Sequence, residues 1–268
     1  MRLADVLERP LRQARALVSR RSLASLLPSG DPIFLHRPHG QPYHGITREV
    51  IRDFDRLSRL VIANRKTLRY AIPADTTFVT YNNCPRKSLI ERCYEAYGIT
   101  GQVVLGKEVT QWDWSAKVRL VLEYLESGRC TTRYLVATDA ADVLMVNDPT
   151  PLLERFRSYS CDVLFCNTFV DWPPNRQCRD FETLKYYSCP FHCHLSAGAF
   201  IGEQKTLASY LSTLFEAYQK QESWAYYNGA FDDQLGWRSL HLREYPRIQV
   251  DAECRVFKRY DLFRNVAE

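Results

Sequence analysis

An α/β fold, with a mostly parallel sheet flanked by helices, is what this 268-residue sequence predicts. Two observations carry that expectation. From Thr76 onward, short apolar or β-branched runs alternate with segments of helical spacing, the pattern of strand–helix units stacked side by side. The composition, 46% hydrophobic and 25% charged, is that of a chain able to bury a sizeable core. The length suits one domain, or one domain with a small extension.

The elements follow in order. Met1 to about Leu27 reads as an arginine-rich amphipathic helix, with Leu3, Val6, Leu7, Leu11, Ala14 and Val18 on one face. Such a helix either packs on the main domain or lies on a membrane surface. A Pro/Gly/His-rich loop (Pro28–Gly45) follows, then a second helical pattern near Thr47–Asn64. Residues 1–70 are therefore expected to be an N-terminal helical extension, and 71–268 the α/β domain.

Within that domain, Thr77–Tyr81 is a strand, and Ser88–Tyr97 a helix closed by Gly98 as a C-cap glycine. Gln102–Leu105 is the next strand. Ser115–Glu126 is an amphipathic helix with Val118, Leu122 and Leu125 on one side and Gly128 at its end. Tyr134–Thr138 is a buried strand, Pro151–Tyr159 a short helix, and Asp162–Cys166 a strand. Ala199–Gly202 is a strand, Lys205–Gln219 a helix, and Asp232–Leu240 a helix-like run. Ligands of such open sheets bind at the carboxyl ends of strands, which is where chemistry is to be sought.

The formal charge is +5, from 36 basic and 31 acidic side chains, with no basic stripe. That balance argues against a nucleic-acid partner and suits a small anionic ligand. No apolar run reaches the length of a membrane span, and no secretory leader is apparent, so a reducing, cytoplasmic setting is the default expectation. Several of the nine cysteines fall in apolar runs and read as small core residues.

The most informative segment runs from Tyr134 through Asp139-Ala-Ala-Asp142-Val143. An apolar strand leads straight into one carboxylate, and a second follows three residues later. At a strand end that spacing can aim both at one point, where Mn²⁺ or Mg²⁺ would take their oxygens together with phosphate oxygens of a substrate. The simpler reading is a pair of turn or capping carboxylates.

A resemblance weighs on that choice. Asp139-Ala-Ala-Asp142-Val143 is followed by Pro151-Leu-Leu-Glu-Arg-Phe156. Leu105-Gly106 and Lys117-Val118-Arg119 precede it. Leu164-Phe165 with Trp172-Pro173, Leu195-Ser-Ala-Gly-Ala-Phe-Ile-Gly202, Asp232-Asp233-Gln234-Leu235 and Cys254-Arg255-Val256-Phe257 come after. In order and spacing these motifs resemble the glycosyltransferase domain of the multifunctional procollagen lysyl hydroxylases and their viral relatives, over about residues 76–260. The resemblance implies a GT-A (Rossmann-like) fold, a UDP-sugar donor and Mn²⁺. It implies Asp139 and Asp142 as metal ligands, and Trp172, Asp232 and Asp233 facing the sugar and acceptor. Thr80, Lys117, Asp139, Ser196 and Gly198 are the expected donor contacts.

Three departures stand out. The tyrosine of the family's acidic turn, which packs on the uridine, is Ala141, and the asparagine of its Leu-Asn-Ser-Gly-Gly motif is Ser196. The family's third metal ligand, a histidine in a C-terminal His-Gly-Asn-Gly segment, has no counterpart in this sequence. A longer chain, a substitute ligand or weaker metal binding would each account for that.

Three further groups carry chemistry-bearing residue types. Cys178, Cys189, His192, Cys193 and His194 have metal-like residue types, and zinc, a Cys178–Cys189 disulfide and ordinary packing are the alternatives. His36, His39 and His44 lie in the loop region and read as surface residues. Asp232-Asp233 either caps a helix or serves the transfer reaction. The expectation is thus a metal-dependent hexosyltransferase acting on a hydroxyl of a protein or glycan. A catalytically degenerate nucleotide-binding or scaffolding relative is the alternative.

Overall fold

The computed structural model describes residues 31–37, 48–63 and 68–260. The N-terminal helix expected over residues 1–27, and His39 and His44, lie outside them. In chain order the elements are β1 (Phe34–His36), α1 (Arg48–Ala63), β2 (Thr76–Tyr81), α2 (Leu89–Ala96), β3 (Val103–Leu105) and α3 (Trp114–Glu126). There follow β4 (Tyr134–Asp139), β5 (Val143–Met145), α4 (Leu152–Ser158), β6 (Val163–Thr168), α5 (Arg176–Lys185) and β7 (His194–Glu203). The described chain closes with α6 (Gln204–Lys220), β8 (Tyr226–Tyr227), β9 (Ala230–Phe231), α7 (Asp233–Glu244), β10 (Ile248–Val250) and β11 (Phe257–Arg259).

Local chemistry accounts for the helix ends. Ser88 and Glu91 form a reciprocal capping box at the start of α2. Gly98, at φ 70°, ends that helix in the left-handed region that glycine adopts without steric cost. Asp113 caps α3 by accepting from the Ala116 amide at 3.0 Å.

Six strands form the main sheet in the order β10-β6-β7-β4-β2-β3. All neighbours are parallel except β7, which runs antiparallel to both β4 and β6. Alternate residues of β4 feed opposite cores, Leu135 and Ala137 on one face, Tyr134 and Val136 on the other. Both faces are covered, as parallel strands require. On the first, Val118 and Leu122 of α3 join Leu207, Leu211 and Trp237 of α6 and α7.

On the second face lie Ile33, Phe34 and Leu35, with Val50, Phe54 and Leu57 of α1. Described residues on both sides of position 70 thus share this core. Strand β1 joins a second sheet, β11-β1-β5, and its side chains are as buried as any in the α/β core.

Candidate active site

Strand β4 ends at Asp139, and a short turn carries the chain through Ala140 and Ala141 to Asp142 and the start of β5. Because β5 pairs antiparallel with β1, with His36 opposite Val143, the turn lies against the end of β1. The Arg37 amide donates to the Asp142 carbonyl at 2.6 Å, and His36 Nε2 stands 3.3 Å from Asp142 Oδ2. One ligand atom each from His36, Asp139 and Asp142 lies within 4.8 Å of the others. No other such group occurs among the described residues.

The imidazole is built in rather than laid on. His36 is 3% exposed, and Ser196 Oγ lies 3.4 Å from its Nδ1. A β-carbon at position 198 would stand 2.5 Å from His36 Nε2, so only glycine fits beside the ring. Ser196 and Gly198 lie in β7 where its register against β6 slips: Phe165 faces Phe200, but Cys166 faces Ser196. The extra residues of this bulge make the hollow that the ring fills. His36 is therefore a buried member of the site, not the surface residue expected from its loop-like surroundings.

Lys117, one turn into α3, reaches across the sheet end to the same turn. Its Nζ is 2.6 Å from Asp139 Oδ1 and 3.8 Å from Asp233 Oδ2, with 12% of the side chain exposed. Burial raises the Asp139 carboxyl above the usual range despite the opposing ammonium, and the negative charge of Asp142 adds to that rise. At the start of α7 the two acidic residues diverge. Asp232 caps the helix, its Oδ1 accepting from the Leu235 amide at 2.8 Å, while Asp233 turns toward Lys117.

A cavity of about 740 Å³ opens over this cluster. Asp139, Asp142, Lys117, Trp172, Gly198, Asp232 and Asp233 all line it, together with His36, Trp112 and Trp114. Two expected contacts stand back. The Thr80 hydroxyl is buried in the sheet, donating to the Thr138 carbonyl at 2.9 Å, and Ser196 sits behind His36. Trp172 is 45% exposed but fixed: its carbonyl accepts from Gln234 Nε2, and Arg238 donates to the Pro173 carbonyl at 2.7 Å.

The Cys/His cluster does not converge. All described cysteines are free thiols, so no Cys178–Cys189 bridge forms. His194 binds Glu182 at 2.8 Å, and His192 lies 3.2 Å from Asn167 Oδ1. Sequence reasoning passed over His36, although it closes the apolar run Ile33-Phe34-Leu35 just as Asp139 closes the run from Tyr134.

Comparison with known proteins places most of the chain in one family. The family described as the PLOD GT domain matches residues 89–266. Procollagen-lysine,2-oxoglutarate 5-dioxygenase 1 of Pongo abelii is 30% identical over 150 residues, which are 54% of this chain and 19% of that protein. The Homo sapiens protein of the same name is 29% identical over the same shares. The match thus spans about a fifth of the length of these curated relatives.

Proposed function

Since the chain belongs to the PLOD GT domain family, we propose that it is a metal-dependent glycosyltransferase that moves a hexose from a UDP-sugar to a hydroxyl on a protein acceptor. The observation that carries this reading is the convergence of His36, Asp139 and Asp142 in a cavity that Asp233 also lines. One imidazole nitrogen and two carboxylates make a donor set that suits Mn²⁺ better than Mg²⁺, which prefers oxygen throughout. His36 would be a third ligand beside the two aspartates. Ser196 at Nδ1 leaves Nε2 toward the carboxylates, the arrangement a ligating imidazole needs.

A divalent ion held there supplies Lewis acidity to a departing diphosphate. The chain's own groups do the rest. Lys117 adds a positive charge beside Asp139. Asp233 lies in the cavity with a carboxyl pushed by burial, against the pull of Lys117, up to about 6, and it is mostly ionised at neutral pH. It can take the proton of an attacking hydroxyl or stabilise positive charge growing on the sugar. Trp172, half-exposed and lining the cavity, offers an aromatic ring for a sugar to pack against.

The test is donor hydrolysis over a panel of UDP-sugars with Mn²⁺ and with chelator, alongside calorimetry of UDP binding. Turnover should need the cation, and Asp139→Asn should weaken metal-assisted UDP binding while leaving the fold intact. Equal UDP affinity with Mn²⁺ and with chelator would refute the reading. Binding without turnover would favour the degenerate alternative, which Ala141, lacking the family's uridine-facing ring, makes worth testing.

A further inference from the structure

Three carboxylates, Asp139, Asp142 and Asp233, line one cavity with Lys117 between two of them. Lys117 is held from three sides. Asp139 Oδ1 is at 2.6 Å, Asp233 Oδ2 at 3.8 Å, and the Trp114 ring centroid lies 5.1 Å from the ammonium. Buried like-charged carboxylates cost free energy unless a cation compensates them, and in this little-exposed place the compensation is strong.

We propose that Lys117 is a built-in counter-ion of this cluster, which yields Asp139 when a divalent cation and a nucleotide diphosphate bind together. The inference rests on the glycosyltransferase reading above and adds to it a coupling device. With Lys117 on Asp139, one oxygen of a metal-ligating carboxylate is engaged, and a positive charge stands beside the place of a second. A divalent cation alone therefore binds against that charge. A diphosphate offers the ammonium a replacement anion, and Asp233, already 3.8 Å away, offers another. Cation and nucleotide then favour each other's binding through one side chain, and by linkage the effect is reciprocal.

The experiment titrates Mn²⁺ without nucleotide into the wild-type chain, Lys117→Met and Lys117→Gln, and follows melting temperature in the same solutions. Both variants should bind Mn²⁺ at least about fivefold more tightly than wild type, the low end of ordinary coupling. They should also melt lower without metal, gain more from Mn²⁺ than wild type does, and bind UDP–Mn²⁺ more weakly. A purely structural lysine would lower melting equally with and without Mn²⁺. That result, unchanged or weaker Mn²⁺ binding, or a chain that stays unfolded even with Mn²⁺ overturns the inference. If wild type and variants alike bind no Mn²⁺, with or without UDP, the metal-site reading fails instead.

Discussion

Asp232 and Asp233 are adjacent at the start of α7 and face different partners, the Leu235 amide and the Lys117 ammonium respectively. Capping, one of the two explanations that compete for the pair in sequence, falls to Asp232, while Asp233 faces Lys117 and the cavity. Asp232→Ala should cost about 1 kcal/mol of stability through loss of the cap, read as a lower melting temperature. Asp233→Asn should lower kcat much more than it raises the donor KM, because proton transfer and charge stabilisation matter chiefly in the transition state. With the Asp233 carboxyl near 6, kcat of the wild type should fall as pH drops through that value, and the residual activity of Asp233→Asn should lack that limb. A variant with near-normal kcat would remove Asp233 from the transfer step.

At the scale of elements, a buried ionic network fixes the wall that carries Trp172. Arg238 of α7 donates to Glu182 of α5 at 2.7 and 3.1 Å, to Asp171 at 2.7 Å and to the Pro173 carbonyl. Glu182 also takes His194 Nδ1 of β7 at 2.8 Å. Arg238→Met leaves a fully buried carboxylate without its guanidinium, with His194 and the Leu195 amide still on it, and should cost about 3 kcal/mol, the low end for breaking a buried ion pair. Burial alone would lower the His194 pKa, but hydrogen bonds to Cys193 and Glu182 outweigh it and raise it to about 9. The folded state thus holds this proton more tightly than the unfolded chain. The resulting stability is full below the ordinary 6.5 and is lost as pH rises through about 9. Melting temperature should fall over that window in the wild type and fall less in His194→Gln. This network also explains what the sequence hides. Helix α5 buries only Cys178 and Glu182, so it shows no apolar stripe. Strand β7 begins at His194, five residues before the apolar run that signals it, because His194 is buried by pairing with Glu182 rather than by apolarity.

Across the whole molecule, legibility follows the same physics. The β4 strand and its acidic turn are plain in the sequence because six consecutive residues, Tyr134–Asp139, run from apolar core to carboxylate. Strands β1, β5, β10 and β11 have three residues each, as does β3, which is legible only from its place in the strand–helix alternation, and β1 is flanked by prolines and histidines that read as loop. Yet β1 closes the site: paired with β11 and β5, it carries His36 from the amino-terminal part of the chain to the end of β4. The His36, Asp139 and Asp142 cluster is therefore drawn from two distant parts of the sequence, and truncation can separate them. A chain lacking residues 1–27 keeps β1 and all family-like motifs, and should retain Mn²⁺-assisted UDP binding. A chain lacking residues 1–37 loses His36 together with Ile33, Phe34 and Leu35, all fully buried or nearly so. It should therefore lose both stability and Mn²⁺ binding. Because unfolding alone could explain that loss, the decisive variant is His36→Ala in the intact chain, which leaves the strand's apolar residues in place. Its Mn²⁺ affinity, measured by calorimetry with UDP present, should fall by one to two orders of magnitude while the protein stays folded, as losing one of three ligands implies. Unchanged affinity in a folded His36→Ala protein would mean that Asp139 and Asp142 hold the ion without help from β1, and that His36 only fills the hollow beside Gly198.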